Sequence, residues 1–297
     1  MMIREPVQAG CFYAASEAQC RQDLETCVAE PVPPVQGTIR GGLVPHAGWM
    51  YSGKVAGRVF AAIAAQARPT TVVLFGAVHR HRGRQAALFP SGCWATPIGP
   101  VQVDGRLAER ILGHTNLIIE DAYAHEQEHS IEVQVPLIRY LLPEAMILPI
   151  MVPPTADALQ VGEAVARTVE AYQIHAVMVG STDLTHYGPS YGFTPAGVGP
   201  EGLAWAKNVN DRRMLELILG LQPQAVVAES QAHHNACGAG AIAATMAAVQ
   251  QLGADQAVLL EHTTSHEVLG RRSGSDAVGY AGIVFTASLR AGRDAGS

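Results

Sequence analysis

Short, wholly apolar runs alternate with longer segments of helical periodicity from residue 38 to residue 287, and this alternation restricts the chain to few architectures. "TIRGGLV" (38–44), "TTVVLFG" (70–76), "AMILPIMV" (145–152), "HAVMVGS" (175–181), "QAVLLEH" (256–262) and "AVGYAGIVFTA" (277–287) read as strands. Between them, "KVAGRVFAAIAAQ" places Val55, Val59 and Ile63 on one helical face. "GRLAERIL", "ADALQVGEAVARTVEAY", "WAKNVNDRRMLELILG" and "GAGAIAATMAAVQQLG" read as helices too. Such alternation predicts an α/β fold, a three-layer α/β/α sandwich around a mostly parallel or mixed sheet. "HSIEVQVPLIRYLLP" fits neither period throughout. Its apolar residues alternate through Val135 and then follow helical spacing, which predicts a helix with an irregular first turn.

The expected organisation is a single domain over 1–297. An N-terminal segment, 1–37, carries a helix near Glu17–Ala29 and ends in the Pro-rich "EPVPPVQG". A flexible tail is expected over 288–297. The chain is 48% hydrophobic and 15% charged, with a net charge of −6. This balance buries a core and argues against nucleic-acid or anionic-membrane binding. No apolar run is long enough to span a bilayer and no signal peptide is evident, so the cytoplasm is the expected location. The five cysteines (11, 20, 27, 93, 237) are odd in number and include no C-x-x-C pair. A disulfide framework and a zinc ribbon are therefore not expected, and most of these thiols read as packing residues.

In open α/β sheets, ligands bind beyond the carboxyl ends of the strands. After "GGLV" comes His46; after "VVLFG", His79 and His81; after "VMVGS", Asp183 and His186; after "VLLE", His262 and His266. Four strand exits bearing imidazoles suggest one histidine-lined cleft. Imidazole suits zinc, iron and copper, and His46 with His79 is the strongest ligand pair. Asp183 and His186 either complete the site or act beside it as acid and base; as an alternative, Asp183 caps the following turn. Arg80, Arg82 and Arg84 read as an anion-facing set or a solvated edge. Trp49, Tyr51 and Tyr187 either flank a planar substrate or pack the cleft wall.

"GAGAIA" (238–243) matches a dinucleotide loop, but "SQAHHNAC" before it is not a strand, so no dinucleotide cofactor is expected. The glycines read instead as a tight entry into a helix beginning near Cys237. A thiolate there would be stabilised by the helix N-terminus and available as a ligand or redox group. No G-x-S-x-G supports a serine hydrolase.

"PHAGWMYSG", "LFGAVH", "EHSIEVQVP", "STDLTHYG" and "HHNACG", in this order and spacing, resemble the Memo family, which includes protein B of the AmmeMemoRadiSam system. "REPVQAGCFYAAS" resembles that family's opening, so the likeness runs from about residue 3 to 286. The resemblance implies a fold like the class III extradiol dioxygenases. It implies a metal held by His46, His79 and Cys237, with Asp183 and His186 as catalytic cleft residues and with Glu128 and His129 orienting a ligand from behind. Iron is the cofactor it implies first, with copper or zinc as alternatives. It also implies a functional link to AMMECR1-like and radical SAM proteins. A thiolate is softer and more oxidisable than a carboxylate, so ring cleavage does not follow from the fold.

Three functions follow as expectations: a non-haem iron redox enzyme acting on a small molecule or peptide, a zinc hydrolase with Asp183 as base, or a binding protein whose cleft holds a ligand without turnover. Whether the chain is catalytic is left open at this level, as are the roles of His81, His233, His234, His262 and His266.

Overall fold

The computed structural model describes residues 2–80, 83–270 and 274–288. His81, Arg82 and all but the first residue of the expected tail lie outside the described residues. A nine-stranded mixed sheet forms the centre. Its middle is four parallel neighbours in the spatial order Thr38–Val44, Ala176–Ser181, Thr71–Gly76 and Met146–Met151. Every residue of Thr71–Gly76 is buried, as a strand covered on both faces requires. Ala277–Ala287 closes one side, antiparallel to Thr38–Val44 and also to Gln256–Thr264 and His186–Tyr187. Ala86–Leu88 and Ile118–Glu120 extend the other side.

Adjacent glycines show how helices cover both faces. Successive strand residues point to opposite faces. A Cβ on Gly41 would meet Val249 Cγ1 at 2.8 Å, on the helix Ala239–Gln251, whereas one on Gly42 would meet Val59 Cγ1 at 2.7 Å, on the helix Trp49–Gln66. The three-layer α/β/α expectation is met, with both helices seated on side-chain-free strand surface. Against Ala239–Gln251, the helix Ala158–Ala171 approaches so closely that a Cβ on Gly162 would strike the Ala244 carbonyl.

The strands and helices read from the apolar runs are present with small boundary shifts. Trp49–Gln66 starts five residues before the run that announced it. The ambiguous segment is a 3₁₀ turn, Glu132–Gln134, running into the helix Val135–Leu141 with Pro136 in its first turn, where the missing N–H costs no bond. The single helix expected at 205–220 has three parts: Pro200–Trp205, a π-helical stretch Ala206–Asp211, and Arg212–Leu219. A further helix, Pro223–His233, follows. Among the described residues no helix is long and apolar enough to cross a membrane.

The N-terminal segment is bound to the body through buried charge. Arg4 and Glu132 form an ion pair at 2.7 Å, their side chains only 4% and 2% exposed. Tyr13 Oη and the Gln8 amide also donate to Glu132 Oε1, at 2.9 and 2.7 Å.

The Gly162→Ala variant tests the close helix contact. Alanine is the better helix former by about 1 kcal/mol, but the facing atom is backbone and cannot rotate away. Overpacking costs about 1–3 kcal/mol, so a net loss of stability is expected as a lowered urea midpoint; an unchanged or raised midpoint would refute the contact.

Candidate metal centre

His46 follows the strand Thr38–Val44 and is 1% exposed. Its Nδ1 lies 2.9 Å from Ser181 Oγ, at the end of the neighbouring parallel strand. Ser181 gives its one hydroxyl proton to the Ser130 carbonyl at 2.7 Å, so it accepts from Nδ1–H. That fixes the tautomer and leaves the lone pair on Nε2. Asp183 Oδ1 accepts from the His46 amide at 2.8 Å. Asp183 thus braces the His46 backbone rather than capping its own turn.

His79 follows the strand Thr71–Gly76, and both its amide and its Nδ1 meet the Glu128 carboxylate at 2.9 Å. The His129 and Ser130 amides donate to the same carboxylate, at 2.9 and 3.0 Å. Burial alone would raise the Glu128 carboxyl. The hydrogen bond and charge of His79, with the backbone amides, outweigh burial and hold it well below the usual carboxylate range. An ionised Glu128 accepts only, so His79 donates through Nδ1 and Nε2 is the nitrogen left to face a metal. Gly76 lets this loop close, since a Cβ there would lie 2.6 Å from Ile131 Cγ1.

His129 completes a cluster. The His79 and His129 rings stack at 4.6 Å, and the His46 ring stands edge-on to both, at 5.1 and 5.2 Å. One ring nitrogen from each of His46, His79 and His129 lies within 4.8 Å of the other two. Burial pushes His46 down from 6.5 to about 3, and burial with the neighbouring His79 lowers His129. Both imidazoles are therefore neutral near pH 7, the protonation state that ligates a metal.

Cys237 lies against His46, its Sγ 3.1 Å from His46 Nε2. The expected helix-stabilised thiolate is not what the structure holds. The helix starts at Ala239, beyond the cysteine, and burial followed by the Asp183 charge pushes the thiol up. Gly238 and Gly240 serve close approach: a Cβ on either would strike the carbonyls of Ser181 or Val152 at the strand ends. Burial would raise Asp183, but the neighbouring His46, whose amide it accepts, and the contacts with His186 lower it. His186 Nε2 is 3.9 Å from Asp183 Oδ2 and is itself buried, although the ring as a whole is partly exposed.

A cleft of ≈ 950 Å³ opens beside the cluster, with His129, Asp183 and His186 in its wall. Phe12, Trp49 and Tyr51 also line it. Tyr187 does not; it is fully buried against Leu203, Phe193 and Trp205. Of the remaining strand-exit histidines, His262 turns away from the site. His262 Nε2 bonds Asp211 Oδ2 at 3.0 Å, while Glu261 and Thr263 beside it face the cleft. His233 contacts Arg213, and His234 is the left-handed C-cap of its helix, against Phe193.

Asn210 and Asp211, not singled out from the sequence, tie the site loops together. Asp211 Oδ1 accepts the Thr185 amide at 2.9 Å, and Asn210 Nδ2 reaches both Thr185 Oγ1 and the His233 carbonyl. The only sequence signal was a pair of polar residues within an amphipathic helical run.

Without metal, the protein is expected to lose stability on acidification. His46 binds a proton near 6.5 when unfolded but only near 3 when folded. The unfolded chain takes up more protons in that window, so stability falls as pH drops through it. The lowered Asp183 and Glu128 act in the same direction at lower pH. The drop between pH 7 and 4.5, read from urea midpoints, should be a few kcal/mol. It should shrink in His46→Gln, though not vanish, because buried His125 is also lowered, to about 4. An equal drop in both proteins would refute the neutral, buried His46.

The sequence profile of the Memo-like protein family matches residues 4–284. A MEMO1 family protein of Pyrobaculum aerophilum is 34% identical over 295 residues, covering 96% of this chain and 99% of that protein. Another, from Thermococcus onnurineus, is 35% identical over 297 residues with the same coverage. Among solved structures, an uncharacterized protein, JW3007, from Escherichia coli K12 shares the fold, with a TM-score of 0.50, 11% identity, and coverage of 76% of this chain and 91% of that one. A profile match along almost the whole chain, with relatives of similar length above 30% identity, shows that this chain belongs to the Memo-like family.

Proposed function

We propose that this protein is an iron-dependent redox protein whose metal is held by His46, His79 and His129, with Cys237 as a further donor beside His46. The observation that carries the proposal is the convergence of three histidine nitrogens within 4.8 Å of one another. Two of these rings are locked through Nδ1–H onto Ser181 and Glu128. A carboxylate or hydroxyl behind an imidazole is the usual support of a metal ligand, fixing its tautomer and raising its basicity. The donor set fits iron, copper or zinc, and a bound iron would supply one-electron exchange and Lewis acidity to a molecule in the cleft. Resemblance to the extradiol fold favours iron.

The chain's own residues have distinct tasks. Glu128 keeps His79 and the His129 backbone in place. Asp183 holds the His46 loop through the His46 amide. His186, in the cleft wall, carries protons between the bound molecule and Asp183. The size of the cleft suits a small molecule or an extended peptide. The family link makes AMMECR1-like and radical SAM proteins the partners to test.

Anaerobic purification followed by metal analysis tests the reading. Iron should accompany the wild type and be lost from His46→Ala and His79→Ala. Glu128→Gln should bind it about 10–100-fold more weakly. Retention of metal in a His46→Ala, His79→Ala double variant would refute the site. Zinc, with hydrolysis and no oxygen uptake linked to turnover, would establish the hydrolase instead. A partner bound equally well with and without metal would establish a binding role.

A further inference from the structure

We propose that Arg4 is a positioning residue of the metal centre, setting the 125–132 loop so that Glu128 and His129 stand correctly against His79; the inference rests on the metal reading above. Arg4 lies in the two-residue strand Ile3–Arg4, paired with Cys93–Trp94. Its buried guanidinium sits over the Trp94 ring, 4.2 Å from the centroid. From that seat it reaches three points of one loop. Nε donates to the His125 carbonyl at 3.0 Å and Nη2 to the Glu128 carbonyl at 2.8 Å, while Nη1 pairs with Glu132 Oε2 at 2.7 Å. A planar guanidinium holds these three contacts in fixed relative directions.

Between those anchors lie the residues that matter to the metal. The Glu128 carbonyl is held by Arg4 and its carboxylate holds His79, so the two ends of one residue link the N-terminal segment to a ligand. Glu132, besides neutralising Arg4, accepts from Gln8 and Tyr13. Phe12, between them, sets its ring against His129 at 5.1 Å, and its carbonyl accepts the Trp49 amide at 2.8 Å, at the start of the helix that follows His46. The segment before the sheet therefore touches Glu128, His129 and the helix that follows His46. A lysine at position 4 could keep charge opposite Glu132, but its ammonium lacks the fork that serves both carbonyls.

A purely structural staple would also cost stability, so the test must read the metal. Co²⁺ is titrated anaerobically into the full-length wild type, Arg4→Lys and Glu132→Gln, following affinity and the visible spectrum. A control is Asp104→Asn. Asp104 is buried, accepts from Thr71 Oγ1 and the Leu107 amide, and lies by the strand end remote from His79. Arg4→Lys is expected to bind Co²⁺ about tenfold more weakly, at the lower end of the losses seen for outer supports of metal ligands, with shifted bands. Glu132→Gln should change in the same direction and provides the test if Arg4→Lys does not fold. Asp104→Asn should lower the urea midpoint yet keep wild-type affinity and spectrum. Wild-type affinity and spectrum in both Arg4→Lys and Glu132→Gln would overturn the inference alone, as would an equal loss in Asp104→Asn. Failure of the wild type to bind Co²⁺ would overturn the metal reading, and this inference with it.

Discussion

The Glu128 carboxylate is the interaction on which the site depends. It is 2% exposed and accepts from four N–H groups: the His79 amide, His79 Nδ1, and the amides of His129 and Ser130. Burying a bare carboxylate is strongly unfavourable. Each hydrogen bond to a charged group returns about 1.5–3 kcal/mol, and four of them keep the group ionised. One side chain thereby fixes the tautomer of one candidate ligand and the backbone of another. Removing either partner alone would leave a buried charge short of donors, so the loop and His79 are coupled in stability as well as in chemistry.

The sheet explains why residues so far apart in sequence meet. Thr38–Val44, Ala176–Ser181 and Thr71–Gly76 are parallel and adjacent, so their carboxyl ends open on one edge. Each end delivers a short loop there, carrying His46, Asp183 or His79. The middle strand also contributes Ser181, which links His46 to the Ser130 carbonyl on the Glu128 loop. The crossover helices that parallel strands require lie on the faces, leaving this edge free for the cleft.

Much of this was legible from sequence because its signals are local. Apolar runs of six or more residues mark strands, and the strand-exit rule picked out His46, His79 and Asp183. Where the signal is short or non-local, legibility failed. Cys93–Trp94 and Ala86–Leu88 have two and three residues, too few to show a period. Glu128 and His129 follow no strand, so the exit rule could not find them and only family resemblance did. His262 shows the opposite error. Its strand does not end there but runs to Thr264, and alternation turns His262 onto Asp211 while Glu261 and Thr263 face the cleft. For Cys237, proximity to a helix start suggested a low pKa, but burial and the Asp183 charge dominate over a helix end that lies past the thiol.

The π-helical stretch completes the physical account of Cys237. The stretch Ala206–Asp211 departs from the regular helical step of about 100° per residue. The wider turn over Ala206–Asp211 buries Asn210 and Asp211 together, at 0% and 1% exposed. Asp211 accepts from the Thr185 amide, while Asn210 Nδ2 donates to the His233 carbonyl and the Asn210 carbonyl accepts from Asn235 Nδ2. One irregular turn thus grips the loop after Asp183 and the turn before Cys237. Those two loops then bond each other directly, Cys237 N to the Asp183 carbonyl and the Gly238 amide to Thr182 Oγ1. Cys237 is consequently fixed against His46 by the fold itself, with or without an ion between them. Helix irregularities of this kind recur at functional sites, and here the irregular stretch carries the two adjacent side chains that hold both loops.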